Sequence, residues 1–256
     1  MNIPNFTNDD ILYIYKVQHF NGFAPCFDNN IFSLACCKGN KKNGGMRVSI
    51  CKRFDDAKTN RNVWILGVAG SKIKNGNDSD IKYEQGDMVY LAKISSKDQL
   101  KTWNEYYNWK EYYNKYKEKR RDAIYKLEGE KIIWKKNSFK DHEPKDEKDR
   151  TCLETDCSAC INGKSEKDIY NDLKQIVVSE DFWIFEEGAK LPKDLNVNRN
   201  YSCNETGESK RTEQLFYELS KKNIQVEKKN PFKDKDTSKG NACHLRSKKK
   251  EIADEH

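Results

Sequence analysis

The stretch Val63-Trp64-Ile65-Leu66-Gly67-Val68-Ala69 decides the fold of this chain, because seven residues without a polar side chain end abruptly in Gly70-Ser71-Lys72. A short apolar run that is rich in β-branched and aromatic residues and stops at turn residues predicts a buried strand. The run Met88-Val89-Tyr90-Leu91-Ala92-Lys93-Ile94 has the same character. We therefore expect both strands near the centre of a sheet.

The segments around these two runs predict a mixture of strands and helices. Alternation or short apolar runs favour further strands over residues 10–19, 31–37, 46–53, 130–134, 173–179 and 181–185. A capping-box pattern of Ser96 with Gln99 predicts the start of a helix that carries Trp103 and Tyr106 on one face. A second helix is expected over residues 212–222. The predicted class is α+β, with a mixed twisted sheet or partial β-barrel and flanking helices.

The composition is that of a polar globular protein. Of the 256 residues, 36% are hydrophobic and 35% charged, and the 11% aromatic content argues against global disorder. A net charge of +7 favours polyanionic or anionic partners, but 41 acidic residues offset the 48 basic ones, so a local basic patch would carry more weight. We expect an α+β domain over residues 1–200, with insertions near 40–61 and 140–165. A helical appendage over 201–227 and a charged flexible tail over 228–256 would follow.

The sequence favours the cytoplasm. Residues 1–17 lack the basic and apolar regions of a signal peptide, and no stretch approaches the roughly 18–20 apolar residues of a membrane span. The nine cysteines are then expected to be mostly reduced.

Two neighbouring blocks predict the mouth of a pocket. In Asn21-Gly22-Phe23-Ala24-Pro25-Cys26, the conformational freedom of Gly22 and the fixed φ of Pro25 predict a rigid bend between two strands. The block Ser33-Leu34-Ala35-Cys36-Cys37-Lys38, on the next strand, would add paired thiols and a lysine to the mouth of the pocket.

These blocks resemble the second of the nucleotide-modification-associated domain families, which are domains found near DNA-modification genes of bacteria and phages. That family has a turn reading roughly GFAPN, then a TLA-CKP block, then a GDW-IG-GSK block. The blocks that begin at Gly22, Ser33 and Asn62 are similar to these, and the similarity extends over roughly residues 10–200. The chain departs from the pattern at Cys26, at Gly39 and in the insertion over 40–61.

The resemblance implies recognition or processing of a modified nucleobase, nucleotide or nucleic acid, in a DNA-modification or defence system. By analogy, the architecture is similar to the barrel-like domains of the PUA, ASCH and EVE group, which hold a base in an aromatic pocket. Two alternatives stay open: an enzyme acting on a nucleotide through a pocket lined by cysteine and lysine, and a non-catalytic interaction protein.

The expected ligand-binding residues would stack on a base and hold its phosphate. They are Asn21, Gly22, Phe23, Ala24, Pro25, Cys26, Lys38, Trp64, Gly70, Ser71 and Lys72. The alternative is that Trp64 and Cys36 belong to the core and Lys72 to a surface loop.

Catalysis by the Cys36 or Cys37 thiol would need a base, for which His19 is the candidate. A buried thiol and a surface histidine are the favoured interpretation.

A metal site is a separate hypothesis. Cys152, Cys157 and Cys160 have C-x4-C-x2-C spacing, and His142 lies ten residues upstream. Three thiolates and one imidazole satisfy tetrahedral zinc. Thiols without a metal in an inserted loop are an equal alternative, and an iron–sulfur cluster is a weaker one.

Overall fold

The computed structural model describes residues 10–22, 24–35, 45–55, 61–76, 79–108, 122, 125–134, 165–174, 176–195, 201–204, 213, 215–219, 226–227 and 231–232. Its strands are β1 (Ile11–Phe20), β2 (Phe32–Leu34), β3 (Val63–Asn75), β4 (Met88–Ile94), β5 (Leu100–Lys101), β6 (Tyr125–Glu128), β7 (Lys131–Trp134), β8 (Ile176–Ser179), β9 (Phe182–Phe185), β10 (Tyr201–Asn204) and β11 (Val226–Glu227). Its named helices are α1 (Gly45–Asp55), α2 (Trp103–Tyr107) and α3 (Glu166–Asp172), and residues 215–219 are also helical.

The strands form one large and two small sheets. The large sheet has the order β10-β1-β3-β4-β9-β11, in which β1 and β3 are parallel and every other pair is antiparallel. A three-stranded sheet has the order β2-β8-β5, and β6 pairs with β7. The predicted α+β class with a mixed twisted sheet is confirmed, and the sheets are not closed into a barrel.

Alternation along the strands divides the interior into three apolar clusters. One face of the large sheet packs against α1 and the small sheet, through side chains such as Tyr13, Met46 and Phe32. The other face, with Trp64 and Leu66, is covered by the helical residues 215–219. A third cluster joins the far side of the small sheet to α2, α3 and the β6–β7 hairpin. Both faces of β4 and of the apolar part of β3 are therefore buried, as their apolar runs predict.

Two predicted elements were wrong. Residues 46–53 were expected to form a strand but lie in α1, where Met46, Ile50 and Phe54 recur at helical spacing and pack into the core. The helix expected after Ser96 is a single 3-10 turn, Lys97–Gln99, followed by β5. Both partners of the Ser96 capping box are in place, but a capping box specifies a start and not a length.

The longer helix starts one capping box later, at Thr102. The Thr102 hydroxyl accepts a hydrogen bond from the Glu105 backbone N–H at 3.1 Å, and the Glu105 carboxylate accepts one from the Thr102 backbone N–H at 2.8 Å. Lys174, just beyond α3, forms an ion pair with the same carboxylate. Partial burial raises the pKa of Glu105, but the hydrogen bonds from Lys174 and Thr102 outweigh burial and lower the pKa overall.

Acid is expected to weaken this contact. Because the pKa of Glu105 is lower in the folded chain, its contribution is present above the usual value near 4.5 and is lost as pH falls through the folded value. Glu105→Gln should cost about 0.5–1 kcal/mol at pH 7, since the pair is partly exposed, and less at pH 3. Urea unfolding of both proteins at the two pH values measures the difference. An equal cost at both values would contradict the ionic origin.

Segments beyond residue 200 also contribute to the structure. β10 and β11 form the outer strands of the large sheet, and Phe232 packs on Phe20 with ring centroids 4.8 Å apart. Leu215, Phe216 and Leu219 form the apolar face predicted for residues 212–222. None of the helices in the described ranges is long and apolar enough to cross a membrane.

Candidate functional site

The parallel pairing of β1 with β3 brings two of the predicted blocks to one end of the large sheet. His19 is the register partner of Lys74, and Phe20 is the partner of Asn75. The Gly76 backbone N–H donates to the Phe20 carbonyl at 2.5 Å. The bend at Asn21 therefore begins where β3 ends. We call residues 18–22 and 70–76 together the distal end.

The distal end contains a large irregularity of the β1–β3 pairing. Val17 pairs with Ala69 and His19 with Lys74, so Gln18 alone lies opposite the four residues 70–73. Pairing of β3 with β4 stops at Val68, so this part of β3 extends past its neighbour. Ser71 and Lys72 are exposed as a result. Such bulges redirect side chains and end regular pairing, and they are common next to binding sites.

The distal end also carries uncompensated positive charge. Lys72 and Lys74 are both exposed, and in the described ranges neither forms an ion pair. Lys167 and the half-buried Lys174, by contrast, are paired with carboxylates. The two ammonium groups are therefore available to an anionic ligand.

Hydrogen bonds of Asn75 and Tyr83 hold the extension of β3 in place. The Asn75 side-chain amide donates to the Tyr83 carbonyl and accepts from the Tyr83 backbone N–H, each at 3.1 Å. The Tyr83 hydroxyl donates to the Phe185 carbonyl at 2.7 Å, which ties the same loop to β9. Burial, with lesser effects of Asp87 and Glu187, raises the pKa of Tyr83, so this hydroxyl stays a donor. Pre-positioned side chains favour binding because less ordering is needed when the ligand arrives.

The described residues of the predicted bend are mostly buried. Gly22 has a φ of 79°, which favours glycine, and the Ala24–Pro25 peptide is cis. Gly22, Pro25 and Cys26 are buried, whereas Asn21 and Ala24 are half-buried. Cys26 exchanges two backbone hydrogen bonds with Ser33, at 2.8 and 3.0 Å. Among the described residues of the bend, only Asn21 and Ala24 are therefore partly accessible.

A buried polar cluster, which the sequence prediction missed, lies behind the bend. The Ser33 hydroxyl donates to Asp122 Oδ2 at 2.5 Å, and the Tyr106 hydroxyl lies 2.8 Å from Asp122 Oδ1. All three side chains are fully buried. The sequence signal for this cluster is a serine in the otherwise apolar run 31–35. The cluster connects β2 to α2, and its burial indicates a structural role.

Trp64 does not lie at the distal end. It is fully buried, and its indole N–H donates to Asp10 Oδ2 at 2.8 Å. Its ring packs on Trp183 and Phe216. Gly70 lies six positions further along the strand, so the two residues are about 20 Å apart at ~3.3 Å per residue. The sheet interior needs this side chain, so the structure places Trp64 in the core and not beside Gly70.

Several predicted residues cannot be placed. Phe23, Cys36, Cys37, Lys38, His142, Cys152, Cys157 and Cys160 lie outside the described residues. His19 is half-buried at the distal end, and Cys26 is a buried thiol. Within the described ranges no three His, Cys, Asp or Glu side chains are grouped as a metal site. The zinc hypothesis for the cysteine-rich segment stays a prediction.

Comparison of the chain with known protein families, with curated proteins and with solved structures found no match.

Proposed function

We propose that this protein recognises or processes a modified nucleobase, nucleotide or nucleic acid, and that the distal end binds the ligand's phosphate. The observation that carries the proposal is the pair of exposed lysines, Lys72 and Lys74, on a β3 extension that is braced by Asn75 and Tyr83. Two of the three sequence blocks on which the resemblance rests adjoin this extension, because Asn21 and Gly22 follow β1 and Gly70 to Lys72 belong to β3.

The chemistry of these side chains suits a nucleotide. A phosphate needs cations that are not already neutralised, and two ammonium groups two residues apart on one strand supply them. The proposal places the protein in the cytoplasm, where nucleotides and modified nucleic acids occur.

Charge reversal of both lysines tests the proposal. Lys72→Glu/Lys74→Glu should weaken nucleotide binding at least tenfold, because charge-assisted hydrogen bonds contribute about 1.5–3 kcal/mol each. The measurement is calorimetric titration with the common deoxynucleotides, with base-methylated versions of them, and with short oligonucleotides that contain the same bases. Lys131→Glu is the matched control, because Lys131 is exposed on the β6–β7 hairpin and forms no ion pair in the described ranges.

Salt dependence separates a polymer ligand from a free nucleotide. Binding of a nucleic acid should fall with a log–log slope of roughly −0.7 to −0.9 per phosphate contact, whereas a free nucleotide should show a shallow slope. If the wild-type chain binds no member of the panel, the proposed function is wrong. If it binds and the double variant binds equally well, the ligand lies elsewhere on the protein.

A further inference from the structure

The side chain of Gln18 lies directly over Gly70 at the centre of the distal end. A Cβ atom added to Gly70 would lie 2.3 Å from Gln18 Nε2, 2.8 Å from Cδ and 3.0 Å from Oε1. The amide therefore occupies the space that any other residue at position 70 would fill. Gln18 is the one β1 residue opposite the four-residue bulge, so this contact belongs to the same irregularity that exposes Lys72.

The Gln18 amide has unused hydrogen-bonding capacity. It is half-buried, and within the described part of the chain it forms no hydrogen bond. An amide carries one carbonyl acceptor and an NH₂ donor side by side. A partly desolvated amide without a protein partner is costly unless something else pairs with it. A ligand edge that offers a neighbouring acceptor and donor would satisfy both groups at once.

We infer that Gln18 reads the base of the bound nucleotide and that the preferred base has an adenine-type edge, while Lys72 and Lys74 hold the phosphate. A glutamine amide pairs in bidentate fashion with adenine N6 and N7, which present a donor beside an acceptor. Because Gly70 has no side chain, it leaves the space that the amide occupies. This inference rests on the proposed function and names its ligand class.

Two substitutions at position 18 and one at position 70 test the assignment. Wild-type protein should bind dAMP about tenfold more tightly than 7-deaza-dAMP, which lacks the N7 acceptor, in line with the discrimination of one bidentate pair. Gln18→Leu should reduce that ratio to near one. Gln18→Glu, which can only accept, should also bring the ratio near one, because it cannot donate to N7. Gly70→Ala should also erode the dAMP preference, because the new methyl group displaces the amide.

Inorganic pyrophosphate separates base reading from phosphate binding. Its affinity should be unchanged in Gln18→Leu and at least tenfold weaker in Lys72→Glu/Lys74→Glu. Gln85→Leu is the matched control at an exposed glutamine outside the distal end and should leave the dAMP to 7-deaza-dAMP ratio unchanged. Thermal melting of each variant confirms that it is folded.

The outcomes distinguish this inference from the proposed function. If wild-type protein binds nucleotides but shows no adenine preference, or if Gln18→Leu leaves the preference intact, Gln18 does not read the base and only this inference is overturned. If wild-type protein binds neither nucleotides nor oligonucleotides, the proposed function is overturned together with it.

Discussion

Asp122→Ala is expected to lower the free energy of unfolding by about 3 kcal/mol, one of the two largest effects that we predict for a single substitution. The Asp122 carboxylate is fully buried and lies within hydrogen-bonding distance of the hydroxyls of Ser33 and Tyr106. Alanine would remove both contacts, and a buried hydroxyl that loses its partner costs about 1–3 kcal/mol. Urea unfolding followed by tryptophan fluorescence measures the change.

The Asp122 carboxylate is the better of two hydrogen-bond acceptors beside the Tyr106 hydroxyl. Tyr106 has a single hydroxyl hydrogen, and its oxygen lies 2.8 Å from Asp122 Oδ1 and 3.1 Å from Ser33 Oγ. The carboxyl oxygens are stronger acceptors than a hydroxyl oxygen, so both hydroxyls donate to Asp122. Asp122→Asn keeps one acceptor oxygen and should cost less than alanine. The exposed Asp98 gives the control Asp98→Ala, which should change stability by less than about 0.5 kcal/mol. A loss as small as that for Asp122→Ala would show that the cluster does not stabilise the fold.

The central strands could be predicted from sequence because the residues of each strand are enough to indicate that it is buried. β3 and β4 are enclosed on both faces for most of their length, so their apolar runs identify them without knowledge of their neighbours. The strand predicted over residues 46–53 was wrong because the pattern of these residues fits two structures. Val48 and Ile50 alternate with polar residues as in a strand, but Met46, Ile50 and Phe54 also fit one face of a helix. Only packing against the large sheet distinguishes the strand periodicity from the helix periodicity.

The candidate site could be predicted only in part. The blocks at Asn21 and Gly70 were recognised as ends of strands, and the parallel pairing of β1 with β3 places them at one edge. The bulge opposite Gln18 could not be predicted, because register between distant strands depends on packing that one segment does not encode. Gln18 and Lys74 were missed for this reason, and Asp122 was missed because its partners lie 16 and 89 residues away in the chain.

Gly67 and Gly70 show the same limit within a single strand. Gly67 lies inside the apolar run of β3 and Gly70 directly follows it, but the sequence does not show what each glycine packs against. In the structure Gly70 faces the flexible end of Gln18, whereas Gly67 lies against the ring of Tyr90. A Cβ atom at Gly67 would lie 2.3 Å from Tyr90 Cε1 and 3.0 Å from Val17 Cγ2. One glycine leaves room for the Gln18 amide, and the other leaves room for a core side chain.

Gly67→Ala is therefore expected to destabilise the protein by about 2–3 kcal/mol, the upper part of the range for overpacked cores, whereas Gly70→Ala should cost less than 1 kcal/mol. The Tyr90 ring cannot move aside easily. Its hydroxyl lies 2.5 Å from that of Tyr15, and its ring packs against Phe27 and Phe32 with centroids 5.6 and 5.0 Å away. The added methyl group must then push β3 and β4 apart or break the Tyr15 hydrogen bond. Urea unfolding of the two alanine variants gives the comparison.

A double-mutant cycle identifies the cause of the loss. Tyr90→Leu removes the ring atoms that the new methyl group would meet, at its own cost in packing. If the clash with the ring is the cause, Gly67→Ala should cost less than about 1 kcal/mol in the Tyr90→Leu background, so the two changes would be strongly non-additive. Additive losses would show that glycine is needed at position 67 for a different reason. Equal losses for Gly67→Ala and Gly70→Ala would contradict the distinction between a rigid core ring and a movable amide, on which the assignment of Gln18 to ligand binding also depends.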